Sequence, residues 1–158
     1  MRLTTFSDYT LRVLMYLGLR GADLSTIAEI ADAYGISKNH LMKVVNQLAT
    51  WGYVETIRGK HGGLRLRKEP GAINIGEVVR QSEKGSALVE CFQSEGDCRI
   101  ESVCMLKGAL WKATQAFYKE LDTFTLADLL GNCDKMTPIL VPTTGLGAGR
   151  GSRDMASG

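Results

Sequence analysis

Gly35 and Ile36 are all that separate two amphipathic helical stretches, and this short junction constrains the fold more than any other feature of the chain. The first stretch starts at Ser25 or Thr26 and carries Glu29 in its first turn. It repeats Ile27, Ile30, Ala31 and Tyr34 at helical spacing up to Gly35, a residue suited to a left-handed stop. The second is capped by Ser37 and repeats Leu41, Val44, Val45, Leu48 and Trp51 until Gly52. Two helices joined by so short a turn form a helix-turn-helix. Ahead of them, Phe6, Thr10, Val13, Leu14 and Leu17 predict a helix over 6–20, opened by Thr5 and Asp8 as a capping box. Behind them, residues 53–58 alternate as a strand, residues 59–63 form a glycine-rich turn, and residues 64–67 return with Leu64 and Leu66 inward. The expected fold is mainly α with a small β-hairpin wing, a winged helix-turn-helix.

The outward face of the second helix in this unit carries Lys38, Asn39, His40, Lys43, Asn46 and Gln47. Asn and Gln can address adenine with two hydrogen bonds, and Lys can address guanine or phosphate. Recognition helices read bases with their N-terminal residues. A solvated helix face has the same composition, so the hairpin decides. Between Arg58 and Lys68 the chain places Arg58, Lys60, Arg65, Arg67 and Lys68 without an acid. Cations so placed neutralise phosphates, and the glycines let the backbone come close. The net charge of +2 conceals an asymmetry: residues 1–70 hold ten Lys/Arg against six Asp/Glu, residues 71–158 nine against eleven. The expected contact set is Lys38, Asn39, His40 and Lys43 on bases or nearby phosphates, with Arg58, Lys60, His61 and Arg65 anchoring the wing. His40 and His61 both fall on this face, and no nucleophile and base are brought together by a recognisable motif, so an enzyme is not expected.

Beyond Pro70, Ile73, Ile75, Val78 and Val79 predict one or two helical turns. From Ser102, the positions Val103, Leu106, Leu110, Ala113, Thr114, Phe117 and Leu121 predict a helix of about five turns, widened by Trp111 and Tyr118. It is longer than the small core requires, and packing against its twin in a homodimer accounts for the excess, the alternative being that it folds back on its own winged helix. Thr125 with Asp128 caps a last short helix over 126–130. The tail, rich in Gly and Pro with little apolar periodicity, is expected to be disordered. The organisation is then a DNA-binding domain over 1–82, a loop over 83–101, a dimerisation helix with a short capping helix over 102–131, and a tail over 132–158. The apolar run over 13–19 is approached through Asp8 and Arg12 and leads to no small-residue cleavage site. No run nears membrane-spanning length, so a cytoplasmic protein is expected.

In the loop and just beyond it, Cys91, Cys98 and Cys104 fall within fourteen residues among Glu90, Glu95, Asp97 and Glu101. A cysteine kept for packing belongs on an apolar face, and a disulfide framework would leave one of the three unpaired. Metal binding fits better. Structural zinc usually takes ligands in close knuckles, whereas gaps of six and five residues suit a larger inorganic core such as an iron-sulfur cluster, although spacing does not decide the metal. Cys133 stands apart and reads as a bystander thiol.

Taken together these residues resemble the family of winged-helix transcriptional regulators that carry iron-sulfur clusters. The resemblance runs through residues 1–4, Asp8-Tyr9, residues 36–40 and 58–63, the three cysteines and residues 125–129. The nitric oxide-sensitive NsrR branch is favoured over the cluster-assembly IscR branch, because Lys107 occupies the place where the latter keeps a histidine for the cluster. The resemblance implies a homodimeric repressor whose cluster is held by Cys91, Cys98 and Cys104 and which leaves its operators when nitric oxide attacks the iron. A four-iron cluster is favoured over a two-iron one. The loop offers no fourth thiolate, so the remaining attachment is assigned to Asp8, from the partner subunit in the intertwined dimer of such proteins. The alternative for Asp8 is a plain helix cap. The alternatives for the protein are an IscR-type regulator of cluster homeostasis, or a zinc-stabilised or electron-carrying module without a sensing role.

Overall fold

The computed structural model describes residues 2–85, 99–100 and 103–141. Helix α1 (Thr5–Arg20) is the central element, burying Val13, Leu14 and Leu17 completely. Its N-cap is Thr4, not Thr5: the Ser7 amide donates to Thr4 Oγ1 at 3.1 Å. The expected Thr5–Asp8 capping box does not form, because the chain enters one residue earlier on a carboxylate from far along the sequence. Glu83 Oε1 accepts from the Thr4 amide at 2.7 Å, from Thr4 Oγ1 at 2.9 Å and from the Ser7 hydroxyl.

Helix α2 (Ile27–Tyr34) opens with the Thr26/Glu29 capping box and ends at Gly35, whose φ of 63° and ψ of 36° are left-handed as expected. Helix α3 (Lys38–Thr50) follows at once, with Ser37 at the N-cap position but making no side-chain bond there. Its stripe of Leu41, Val44, Val45 and Leu48 is buried against α1 and α2. Trp51 ends the helix half-buried, with its ring edge-on to Phe6 at 6.2 Å.

The wing is the antiparallel pair β1 (Val54–Ile57) and β2 (Gly63–Leu66), in the register Val54 to Leu66 and Glu55 to Arg65. Leu64 is buried and also bridges to Ser25 through bonds of 2.9 and 2.7 Å, which fastens the wing to the entrance of α2. Two glycines make this hairpin possible. A Cβ at Gly62 would lie 2.1 Å from the Ile57 carbonyl oxygen, and one at Gly63 would lie 2.9 Å from that of Ser25.

A 3-10 turn at Pro70–Ala72 leads into α4 (Ile75–Ser82), where Ile73, Ile75, Val78 and Val79 are all buried. Helix α5 (Met105–Leu121) returns to the core only at its C-terminal end, through Phe117, Tyr118 and Leu121. That end is tied to α4 by Arg80, which pairs with Asp122 and lies over the Tyr118 ring, 5.1 Å from its centroid. The hydrogen bond from Arg80 holds the Asp122 carboxyl below its ordinary value. Helix α6 (Leu126–Leu129) has the expected Thr125/Asp128 capping box and is clipped beside α4 by bonds between Ile75 and Phe124 and between Leu126 and Ile73.

The tail departs from expectation. Residues Cys133–Leu140 form helix α7, with Leu140 and Val141 packed on the core. Disorder was expected there from Pro138 and the weak apolar pattern. However, Leu140 and Val141 pack on the core, a tertiary contact that composition does not reveal and that holds the helix despite the bond lost and the crowding at Pro138. Residues 142–158 of the tail lie outside the described residues.

Candidate nucleic-acid interface and metal-ligand residues

Lys38, Asn39, His40 and Lys43 occupy the N-terminal half of α3, and all four are exposed, opposite the buried stripe. The first turn of α3 contains no acid, so its amide dipoles and Lys38 together favour a phosphate. The wing tip presents Arg58, Lys60 and His61 to solvent. Arg65 differs: it faces Glu55 across the ladder and forms an ion pair with it, so its guanidinium is already partly spent within the wing. Sequence reasoning missed this because Glu55 lies before the acid-free run, and only the hairpin register sets the two side by side. Lys68, also basic in sequence, lies over the buried Tyr53 ring, 4.6 Å from its centroid.

Asp8 is not a cap. Its Oδ2 accepts from Arg12 Nε at 2.9 Å, an i,i+4 pair with both side chains about half exposed. Arg12 in turn sits over the ring of Tyr34, 5.4 Å from the centroid, one residue before the left-handed Gly35. Burial pushes the Tyr34 phenol up, and Arg12 opposes that shift. Tyr9, the residue after Asp8, meets the ring of His40 at a centroid distance of 6.2 Å. The first two turns of α1 therefore touch both sides of the helix-turn-helix junction.

Of the expected cluster ligands, Cys91 and Cys98 lie outside the described residues. Cys104 is half-buried at the N-cap of α5, where its sulfur accepts the Lys107 amide at 3.4 Å. Among the described residues no group of three or more His, Cys, Asp or Glu is placed to hold a metal ion. The donor chemistry nonetheless fits an iron-sulfur group. Cys104 offers a free sulfur ligand at the edge of the fold, and the Asp8 carboxylate is engaged at the surface by a side chain that can release it. Cys133 is exposed on α7. Glu83 was not legible as the residue that fixes the start of α1, since Thr4 and Ser7 are more than seventy positions away.

The Rrf2 family, described as iron-dependent transcriptional regulators, matches residues 3–132. The chain belongs to this family and is a winged-helix transcriptional regulator. It is 49% identical over 142 residues to the transcriptional regulator NsrR of Bacillus licheniformis, covering 89% of this chain and 99% of that one. It is likewise 49% identical to NsrR of Bacillus subtilis, over 89% and 97% of the two chains. Among solved structures, IscR of T. potens superposes with a TM-score of 0.69 at 23% identity, covering 86% of this chain and 90% of that one. CymR, the global cysteine regulator of B. subtilis, gives 0.66 at 28% identity over 84% and 98%. No helix among the described residues is long and apolar enough to cross a membrane.

Proposed function

We infer that this regulator is a cytoplasmic homodimeric repressor that binds operator DNA while carrying an iron-sulfur cluster, four-iron in preference to two-iron, and that nitric oxide frees the operators of nitrosative-stress genes by attacking it. The observation that carries this reading is where the cysteine segment begins and ends. At one side Glu83 grips the start of α1 through Thr4 and Ser7; at the other, Cys104 caps α5. A group bound to Cys91, Cys98 and Cys104 thus bears on both the DNA-binding unit and the long helix. The names of the 49% identical relatives agree with it.

Cys91, Cys98 and Cys104 would hold the cluster, with Asp8 of the partner subunit as the fourth attachment. When bound, the cluster supplies iron to which nitric oxide can add. The chain's own residues do the rest. Arg12 competes for the Asp8 carboxylate, so Asp8 has a partner ready whenever it is displaced. Arg12 also rests on Tyr34, and Tyr9 rests on His40, so a shift at the start of α1 reaches the turn that sets α3. Two recognition helices must lie about one DNA turn apart, roughly 34 Å, to enter successive major grooves, and a small rotation loses contacts in both. Lys38, Asn39, His40 and Lys43 read bases or adjacent phosphates, and Arg58, Lys60, His61 and Arg65 hold the wing to the backbone. Enzymatic activity forms no part of this reading.

Anaerobic purification with absorbance, iron and sulfide analysis tests the assignment, and a colourless zinc protein would contradict it. In the same preparation Asp8→Ala should keep fold and dimer, since an exposed i,i+4 pair contributes only about 0.3–0.5 kcal/mol. It should alter the absorption spectrum or the rate of reaction with nitric oxide. An unchanged spectrum with unchanged kinetics would leave Asp8 as nothing more than the partner of Arg12.

A further inference from the structure

We propose that Tyr9 is a specificity-determining positioning residue: its ring, carried on α1, holds the His40 ring in the orientation that reads the operator. The inference rests on the assignment of His40 to base reading. Three observations carry it. His40 is the third residue of α3, exposed, on the helix turn whose side chains reach base edges first. Tyr9 is half-buried and packed against the hydrophobic core, so its ring is fixed by the fold. The two rings lie 6.2 Å apart between centroids with their planes inclined by 37°, within the range of aromatic contact.

An exposed side chain at a helix start pays rotamer entropy when it docks into a groove. A ring already resting on a fixed neighbour has lost part of that freedom before binding. Imidazole also presents two different edges, one ring nitrogen donating and the other accepting in the neutral form. Which edge faces a base depends on the χ angles that Tyr9 restricts. The contribution is therefore selective. It strengthens binding where a base matches the presented edge and adds nothing on random DNA, where phosphate contacts dominate.

The test measures affinity of the cluster-loaded dimer, under anaerobic conditions, for the cognate operator and for a random duplex across a salt series. Tyr9→Leu stays apolar but removes the ring, and Tyr9→Phe keeps the ring. Tyr9→Leu should weaken operator binding about twofold to tenfold, the size of a single aromatic contact, with random-duplex affinity and salt slope unchanged. Tyr9→Phe should behave as wild type. In a His40→Ala background Tyr9→Leu should have no further effect. Lys60→Ala serves as the contrasting phosphate contact, weakening both duplexes and lowering the salt slope by about one. If Tyr9→Leu costs the same with and without His40, or weakens both duplexes alike, Tyr9 does not position His40 and the inference fails alone. If His40→Ala leaves the operator affinity unchanged, the base-reading role of His40 fails, and the inference with it.

Discussion

Replacing Cys91, Cys98 or Cys104 by serine, one at a time, should abolish stable cluster incorporation and operator binding, while Cys133→Ser leaves both close to wild type. Serine is a poor iron ligand at neutral pH because its alkoxide is far harder to form than a thiolate, and a loop with three thiolates has none to spare. Cys104 gives the cleanest case. Its sulfur caps α5 by accepting the Lys107 amide, and serine is itself a preferred N-cap residue. Cys104→Ser should therefore retain the helix, and any loss of DNA binding reports on the metal, not on the fold. Anaerobic reconstitution of the four variants side by side, with iron, sulfide and circular dichroism measured on each, checks this. A Cys133 variant unable to hold iron would overturn the ligand set.

A charge on the exposed half of α5 should break the inferred homodimer. Met105, Leu106 and Trp111 are 87%, 64% and 56% exposed, and Ile100 and Val103 beside them are also exposed, whereas the other end of the same helix packs on the core. Large apolar side chains clustered in this way mark an interaction site. A second copy is the expected occupant, since operators of such regulators place two half-sites one turn apart. Neither Leu106 nor Trp111 is among the side chains packed on the core, so Leu106→Glu with Trp111→Glu should change thermal stability little. Sedimentation should show a monomer, and operator affinity should fall by about 10²–10⁴ as the second half-site contact loses its tether. A double variant that still sediments as a dimer would place the interface elsewhere.

The elements of this fold that were legible in the sequence are those whose signals are local. Thr26 with Glu29, Gly35, the α3 stripe and Thr125 with Asp128 each act within a turn or two of helix, and each is found where periodicity and capping chemistry place it. The misreadings came from long-range partners. Glu83 moved the cap of α1 from Thr5 to Thr4, and core packing by Leu140 and Val141 made a helix of a stretch that composition marks as tail. The site divides the same way. The exposed face from Lys38 to Lys43 follows from helical phase alone, but the Arg65–Glu55 pair requires the hairpin register, and the Tyr9–His40 contact requires the packing of α1 on α3.

Central to the whole account is the coupling of nitric oxide chemistry to DNA release. The direct test is an anaerobic titration of the operator-bound, cluster-loaded dimer with nitric oxide, recording cluster absorbance and fluorescence anisotropy of a labelled operator in the same cuvette. Anisotropy should fall in step with the loss of cluster absorbance, and a random duplex should show no comparable release. Operator binding that persists after the cluster absorbance has been lost would contradict the account.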